Sequence, residues 1–134
     1  MSWIDEAADN YFLKMLYPMA SPLLDAVRLH EVKLHQDGPV VSLRFDLNEY
    51  PAQPPAKWQA VKSNTVQVCL DGIGVREFAM RGWALNNVGR LVVKKGGSGI
   101  IVEFDADECH ITAAFDHLRV ASVTAYWDEA RENT

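Results

Sequence analysis

Cysteine is nearly missing from this chain: Cys69 and Cys109 are the only two in 134 residues, and no CxxC pair occurs. Neither a disulfide framework nor a zinc knuckle can be built from them, and a reducing cytoplasm is the compartment they fit. An excess of positive charge is missing too. Thirteen Lys and Arg stand against eighteen Asp and Glu, a net charge of −5, so there is no broad footprint for a phosphate backbone and nucleic acid is not expected as a partner. Long hydrophobic runs are absent. The longest aliphatic stretch is Ile100, Ile101, Val102, far short of the roughly 20 residues that span a bilayer. The start, MSWIDEAADN, has no basic segment followed by an apolar one, so neither export by a classical signal nor a membrane partner is expected.

Catalytic motifs are equally scarce. GGSGI places a serine among glycines, but GxSxG needs glycine at positions 96 and 100, and position 100 is isoleucine; the segment reads as a turn. GIGVRE lacks the third glycine of GxGxxG, so no nucleotide or other cofactor is signalled. His30 and His35 are five apart and Cys109 adjoins His110, so each pair points to opposite faces of a regular strand and does not form a metal site. A hydrogen-bonded histidine at the core edge is the reading for His30. Glu49, Asp105, Asp107 and Glu108 have no spacing that favours acid and base catalysis.

What is present is the material of one globular domain, 49% hydrophobic and 23% charged, long enough to bury a core without staples. Ser2 and Asp5 resemble a capping box, and Ile4, Ala8, Tyr11, Phe12 and Met15 recur at helical spacing. An amphipathic helix over 3–16 is predicted, ended by Pro18 and Pro22. From Val27 the period becomes twofold. Pairing His35 with Val40 across QDGP sets Leu34 against Val41, Val32 against Leu43 and Glu31 against Arg44. GGSG joins a second hairpin with Val93 opposite Val102 and Leu91 opposite Phe104. NTVQVCL is expected to turn at DGIG into VREFAMRGW, and CHITAAF at Asp116 and His117 into LRVASVTAYW. The fold class is therefore mainly β: one twisted, curved antiparallel sheet of seven or eight strands, open to closure as a half-barrel or sandwich, with one N-terminal helix. Residues 1–26 form helix and connector, 27–127 the β domain, and 128–134 a frayed polar tail.

The segment from Asn48 to Ser63 is too long for a plain turn and holds Pro51, Pro54 and Pro55. The prolines predict an extended, stiff strap over one edge or end of the sheet. Tyr50 and Trp58 either clamp it down or present a binding surface, anchoring being favoured for Trp58, and Lys57 points outward. Trp83 is a strand-end aromatic that either caps the core, the favoured reading, or lies beside the proline strap. DADE, with Asp105, Asp107 and Glu108, is first a solvated loop and second an acidic contact for a cationic partner.

LHEVKLHQDGPVVSLRFDL (29–47), the PxxPPxKW segment (51–58), NTVQVCL (64–70), GVREFAMRGW (74–83) and LRVASVTAY (118–126) together resemble the Immunity protein 50 family. The resemblance covers about residues 27–126. It implies an all-β bacterial protein, notably of actinomycetes, that is cytoplasmic and sequesters the toxin domain of a polymorphic toxin system without doing chemistry. The alternative is a small-molecule carrier or enzyme using a cavity in the curved sheet. On the immunity reading Tyr50, Lys57, Trp58, Trp83, Asp105, Asp107 and Glu108 are the partner-binding candidates, with strap and acidic loop expected to share one toxin-facing surface.

Overall fold

A computed structural model describes residues 2–97 and 99–131. The chain forms β1 (Ala7–Ala8), α1 (Tyr11–Leu16), β2 (Val27–His35), β3 (Val40–Asp46), α2 (Ala56–Ala60), β4 (Thr65–Arg81), β5 (Asn87–Lys95), β6 (Ile100–Ala106) and β7 (His110–Tyr126). One sheet contains all seven strands in the order β1-β7-β4-β3-β2-β5-β6. An additional β6–β7 pairing links the far end of that order back to β7, so the sheet curls round a single core. Every strand-to-strand pairing is antiparallel except the short parallel contact of β1 with β7.

Both predicted hairpins form in the predicted register: Leu34 faces Val41, Val32 faces Leu43 and Glu31 faces Arg44, while Val93 faces Val102 and Leu91 faces Phe104. Ser98, at the tip of GGSG, lies outside the described residues. His30 falls at a register shift between Leu29 and Glu31. The bulge puts Val27 and Leu29, rather than His30, in the core ahead of it.

The two expected turns at DGIG and at Asp116–His117 do not exist. β4 and β7 run straight through them, each 17 residues long, and pair from Thr65–Tyr126 to Arg81–His110. Instead of reversing, both strands bend together, with a register shift between Val75 and Glu77. Gly74 takes φ of 74° at the bend, a conformation cheap only for glycine. Its N–H and that of Val75 donate to the Pro39 carbonyl at 3.0 and 3.1 Å. At Gly72 the Phe115 ring packs so close that an added Cβ would meet it at 2.6 Å. Before the bend β4 lies between β3 and β7; after it, β7 lies between β4 and β6.

The predicted helix over 3–16 is broken. Ser2 does cap its start, accepting from the Ile4 N–H at 3.0 Å, but Trp3–Glu6 is a 3-10 turn. Ala7 and Ala8 then join the ladder opposite Leu118 and Arg119. Asp9 takes φ of 57°, Asn10 reaches back to the Ile4 carbonyl at 2.8 Å, and α1 begins afresh. The break resets the buried face: Leu13 and Leu16 enter the core, whereas Tyr11 and Met15 are exposed. Two small alanines fit beside β7, and the ladder bonds they gain outweigh their helix propensity.

The core takes side chains from the inward face of every long strand, with Phe45, Phe104 and Phe115 at 0–1% exposure. Burying each contributes about 1.5–3 kcal/mol relative to solvent. Of the expected polar tail, Glu129–Arg131 forms a 3-10 turn. Asp128 is held rather than frayed: its N–H donates to Asn64 Oδ1 at 2.7 Å, and Asn64 Nδ2 donates to its carbonyl at 3.0 Å. Residues 132–134 lie outside the described residues.

Gly72→Ala forces a methyl into the Phe115 ring, and overpacking of this kind costs about 1–3 kcal/mol. Urea denaturation should show that loss, and adding Phe115→Leu should return part of it. Plain additivity of the two substitutions would show that the contact does not govern the bend.

Candidate functional site

Trp83 does not cap the core. It is 48% exposed, in the connector between β4 and β5, beside Leu85, which is fully exposed, and close in sequence to Met80 at 40% and Val88 at 43%. The connector is held by Asn87, a buried polar side chain that accepts from the Ala84 N–H at 2.8 Å and donates to the Ala84 carbonyl at 3.0 Å. Gly82 has φ of 80° and lies directly against the Glu108 carbonyl. That contact brings Trp83 beside the acidic loop, a neighbourhood the sequence did not disclose. Asp107 and Glu108 are exposed; Asp105 lies on β6, with Oδ1 2.5 Å from His110 Nδ1. Arg81 pairs in register with His110, and Arg90 with Asp105, so cationic groups border the carboxylates.

The strap lies at the other end. It leads from β3 to the start of β4, where Thr65 pairs with Tyr126, whereas the acidic loop leads into the start of β7, where His110 pairs with Arg81. Sixteen positions of β4 separate them (81 − 65), so the single shared surface expected for strap and loop does not form. Nor is the strap extended throughout, because Ala56–Ala60 makes a helical turn, α2, that carries Lys57 and Trp58. Lys57 is exposed. Trp58 and Tyr50 pack against the core. The Phe12 ring meets Trp58 edge-on at 5.6 Å, and the Tyr50 hydroxyl lies 2.6 Å from Ser63 Oγ. Tyr17 donates to the Glu49 carbonyl at 2.7 Å. These contacts make the strap an anchored lid over one end of the core, with α1 beside it.

A third grouping was not visible in the sequence. Asp46 is wholly buried on the outer face of β3. Its Oδ2 lies 2.7 Å from His30 Nε2, Gln67 donates to its Oδ1 at 3.0 Å, and the Tyr126 hydroxyl donates to it as well. Arg44 extends the chain, donating to Gln67 Oε1 and to Glu31 Oε1, each at 3.2 Å. Four strands are thus cross-linked through side chains, and each Asp46 oxygen is satisfied, as a buried carboxylate requires. His30 is a hydrogen-bonded histidine at the core edge, as its position suggested. Burial, with the Asp46 hydrogen bond and charge adding to it, pushes the Tyr126 phenol well above its ordinary value of 10.0. Burial raises the Cys69 and Cys109 thiols as well, which lowers their reactivity. Among the described residues no cluster of three or more His, Cys, Asp or Glu side chains is arranged to hold a metal ion.

Because the folded state favours the neutral Tyr126 phenol, its contribution to stability is complete below the unfolded value near pH 10 and is lost as pH rises beyond it. Tyr126→Phe should cost about 1–3 kcal/mol at neutral pH by removing a donor from the buried carboxylate. It should also flatten the fall in stability above pH 10. A Phe variant with an unchanged alkaline slope in a denaturation series would remove Tyr126 from that titration.

Among the described residues no helix is long and apolar enough to cross a membrane. Compared with known proteins, the chain matches the family model described as Immunity protein 50 over residues 12–126. The match begins at Phe12, so it takes in all of α1 but Tyr11 as well as the span from 27 on which the resemblance rested. No curated protein and no solved structure gives a significant match. With 115 of 134 positions (126 − 12 + 1) inside the matched span, the chain belongs to the Immunity protein 50 family.

Proposed function

We propose that the protein is a cytoplasmic, non-enzymatic immunity protein that binds and neutralises a toxin domain of a bacterial polymorphic toxin system. Family membership supports immunity in general. The observation that carries the binding reading is Trp83, half in solvent and close in sequence to the exposed Met80, Leu85 and Val88, on a connector whose Gly82 lies against the Glu108 carbonyl of the exposed acidic loop. An aromatic anchor among smaller apolar groups with a charged rim is the composition of a protein-binding hot spot. Tyr50 and Trp58 serve the fold from the opposite end, so of the three strap candidates Lys57 is the exposed one. The acidic rim suits a toxin domain with basic residues at the contact, which it would draw in faster at low salt.

A carrier or enzyme with a cavity inside the curved sheet has less support, because Phe45, Phe104 and Phe115 fill that interior.

The test takes the product of the neighbouring gene as the candidate toxin domain. Trp83→Ala should weaken the complex by about 2 kcal/mol or more, a hot-spot loss. Replacing Asp105, Asp107 and Glu108 together by serine should slow association at low salt, and the difference should disappear as salt is added. Failure of the neighbouring product to bind at all would falsify the immunity reading; tight binding indifferent to both variants would move the interface elsewhere on the same protein.

A further inference from the structure

Curling the sheet leaves several strands with one open edge. β2 pairs with β5 only at Val27–Leu29, so its later half is open on that side, and so is β5 from Val92. Among the described residues β4 has no strand beside it on the β3 side after Ile73. β7 is flanked by β1 only at Leu118 and Arg119, which leaves Val120–Tyr126 with β4 on one side and no strand on the other among the described residues. Open edges expose unpaired N–H and C=O groups, and proteins guard them with charge. Three of these edges are guarded: β2 by Glu31 and Lys33, β5 by Lys94 and Lys95, β4 by Glu77 and Arg81. The β7 edge reads VASVTAY, with no charge, no proline and no glycine over seven residues. It has the composition of a strand meant to be paired.

We propose that this edge pairs antiparallel with the same edge of a second copy of the chain, making a two-fold dimer with a sheet continuous across it. A closed two-fold contact requires a surface that complements itself. Placing the axis at Val123 sets Ser122 opposite Thr124 of the other copy, and the regular rungs end on each side at Ala121, the bulged residue of β7 that has no partner on β4. No rung opposes two charges, and the Ser–Thr rungs can hydrogen-bond across the strands. Faces agree at the centre: Val123 pairs with the inward Val68, whereas Ser122 and Thr124 pair with Cys69 and Gln67 on the outer face and are exposed. Length agrees as well. The open stretch is bounded by β1 at Arg119 and by the end of β7 at Tyr126, after which Asp128 is drawn to Asn64 on the β4 side. The second strand therefore fills the gap without meeting β1. Trp127, 46% exposed, then arrives near the β1 end of the other copy, close in sequence to its Tyr11, 67% exposed, and adds apolar burial at both ends of the contact.

Sedimentation equilibrium on the full chain should find a dimer. Ser122→Lys with Thr124→Lys puts lysines opposite one another across the axis and should leave a monomer with an unchanged far-ultraviolet spectrum, whereas Ala79→Lys, on the β4 edge, should remain dimeric. Val123→Cys supplies a positive test that does not depend on the lysine variant folding. Paired cysteines at the axis should give a covalent dimer on mild oxidation, and the wild-type chain should not. A monomeric wild type, including one that uses this edge for a strand of another protein, overturns the proposal. So does a dimer that Ser122→Lys with Thr124→Lys leaves intact, or a Val123→Cys chain that does not cross-link.

Discussion

The shape of the molecule depends on one constraint: two 17-residue strands, β4 and β7, must bend at the same place without separating. A sheet this long cannot stay flat and still enclose a core, because twist alone would leave both faces and both edges in water. The bend at Gly74, supported by Pro39 and by the Phe115 ring over Gly72, turns one half of the pair toward β3 and β2 and the other toward β6 and β5. A single core then receives side chains from all six long strands. Arg119 reinforces the first half, donating to Asp71 at 3.0 Å, and Asp71 also accepts from Ser42 at 2.7 Å.

The same bend explains what could be read from the residues and what could not. Hairpins are local: alternation fixes the face, turn length fixes the register, and a charge pair such as Glu31–Arg44 checks both. The pairings were legible to the residue, whereas the bulge at His30, which resets the buried face of β2, was not. The bend was not, because DGIG carries the glycines of a reversing turn, and only the closeness of Phe115 and Asp116, contributed from about forty residues away, makes it a corner. The N-terminal helix failed for a similar reason. Ile4, Ala8 and Tyr11 have helical spacing, but the competitor is a distant strand edge at Leu118 that a local pattern does not contain. The strap was legible in its anchors, Tyr50 and Trp58, and not in its helical turn.

Legibility of the candidate site divides along the same line. Trp83, Asp107 and Glu108 were picked out by residue type. Their juxtaposition came from Gly82 lying against the Glu108 carbonyl, a backbone contact with no signature in composition. Strap and acidic loop looked equivalent as loops, yet β4 holds them at opposite ends. The Asp46 network was invisible for a further reason: it joins His30, Gln67 and Tyr126 from three other strands, and each alone reads as an ordinary polar position. Its physical effect is rigidity at the strap end, because a buried carboxylate fixes every donor around it.

Rigidity at one end and exposure at the other give the molecule a division of labour. The strap end closes the core, with Trp58, Tyr50 and Tyr17 fixed by contacts of their own and Asp46 tying β2, β3, β4 and β7 together. The opposite end presents Trp83 and the acids on connectors whose backbones are fixed by Asn87 and by the Glu108 carbonyl, so little entropy is lost when a partner arrives. The uncharged edge of β7 lies in the half of that strand paired with Thr65–Leu70, away from the half that starts at His110. Self-association there would therefore leave both Trp83 ends open, and a dimer formed that way can hold two partners at once. On the proposed reading, closing the uncharged edge and keeping Trp83 free for a partner fall to different parts of the same bent strand.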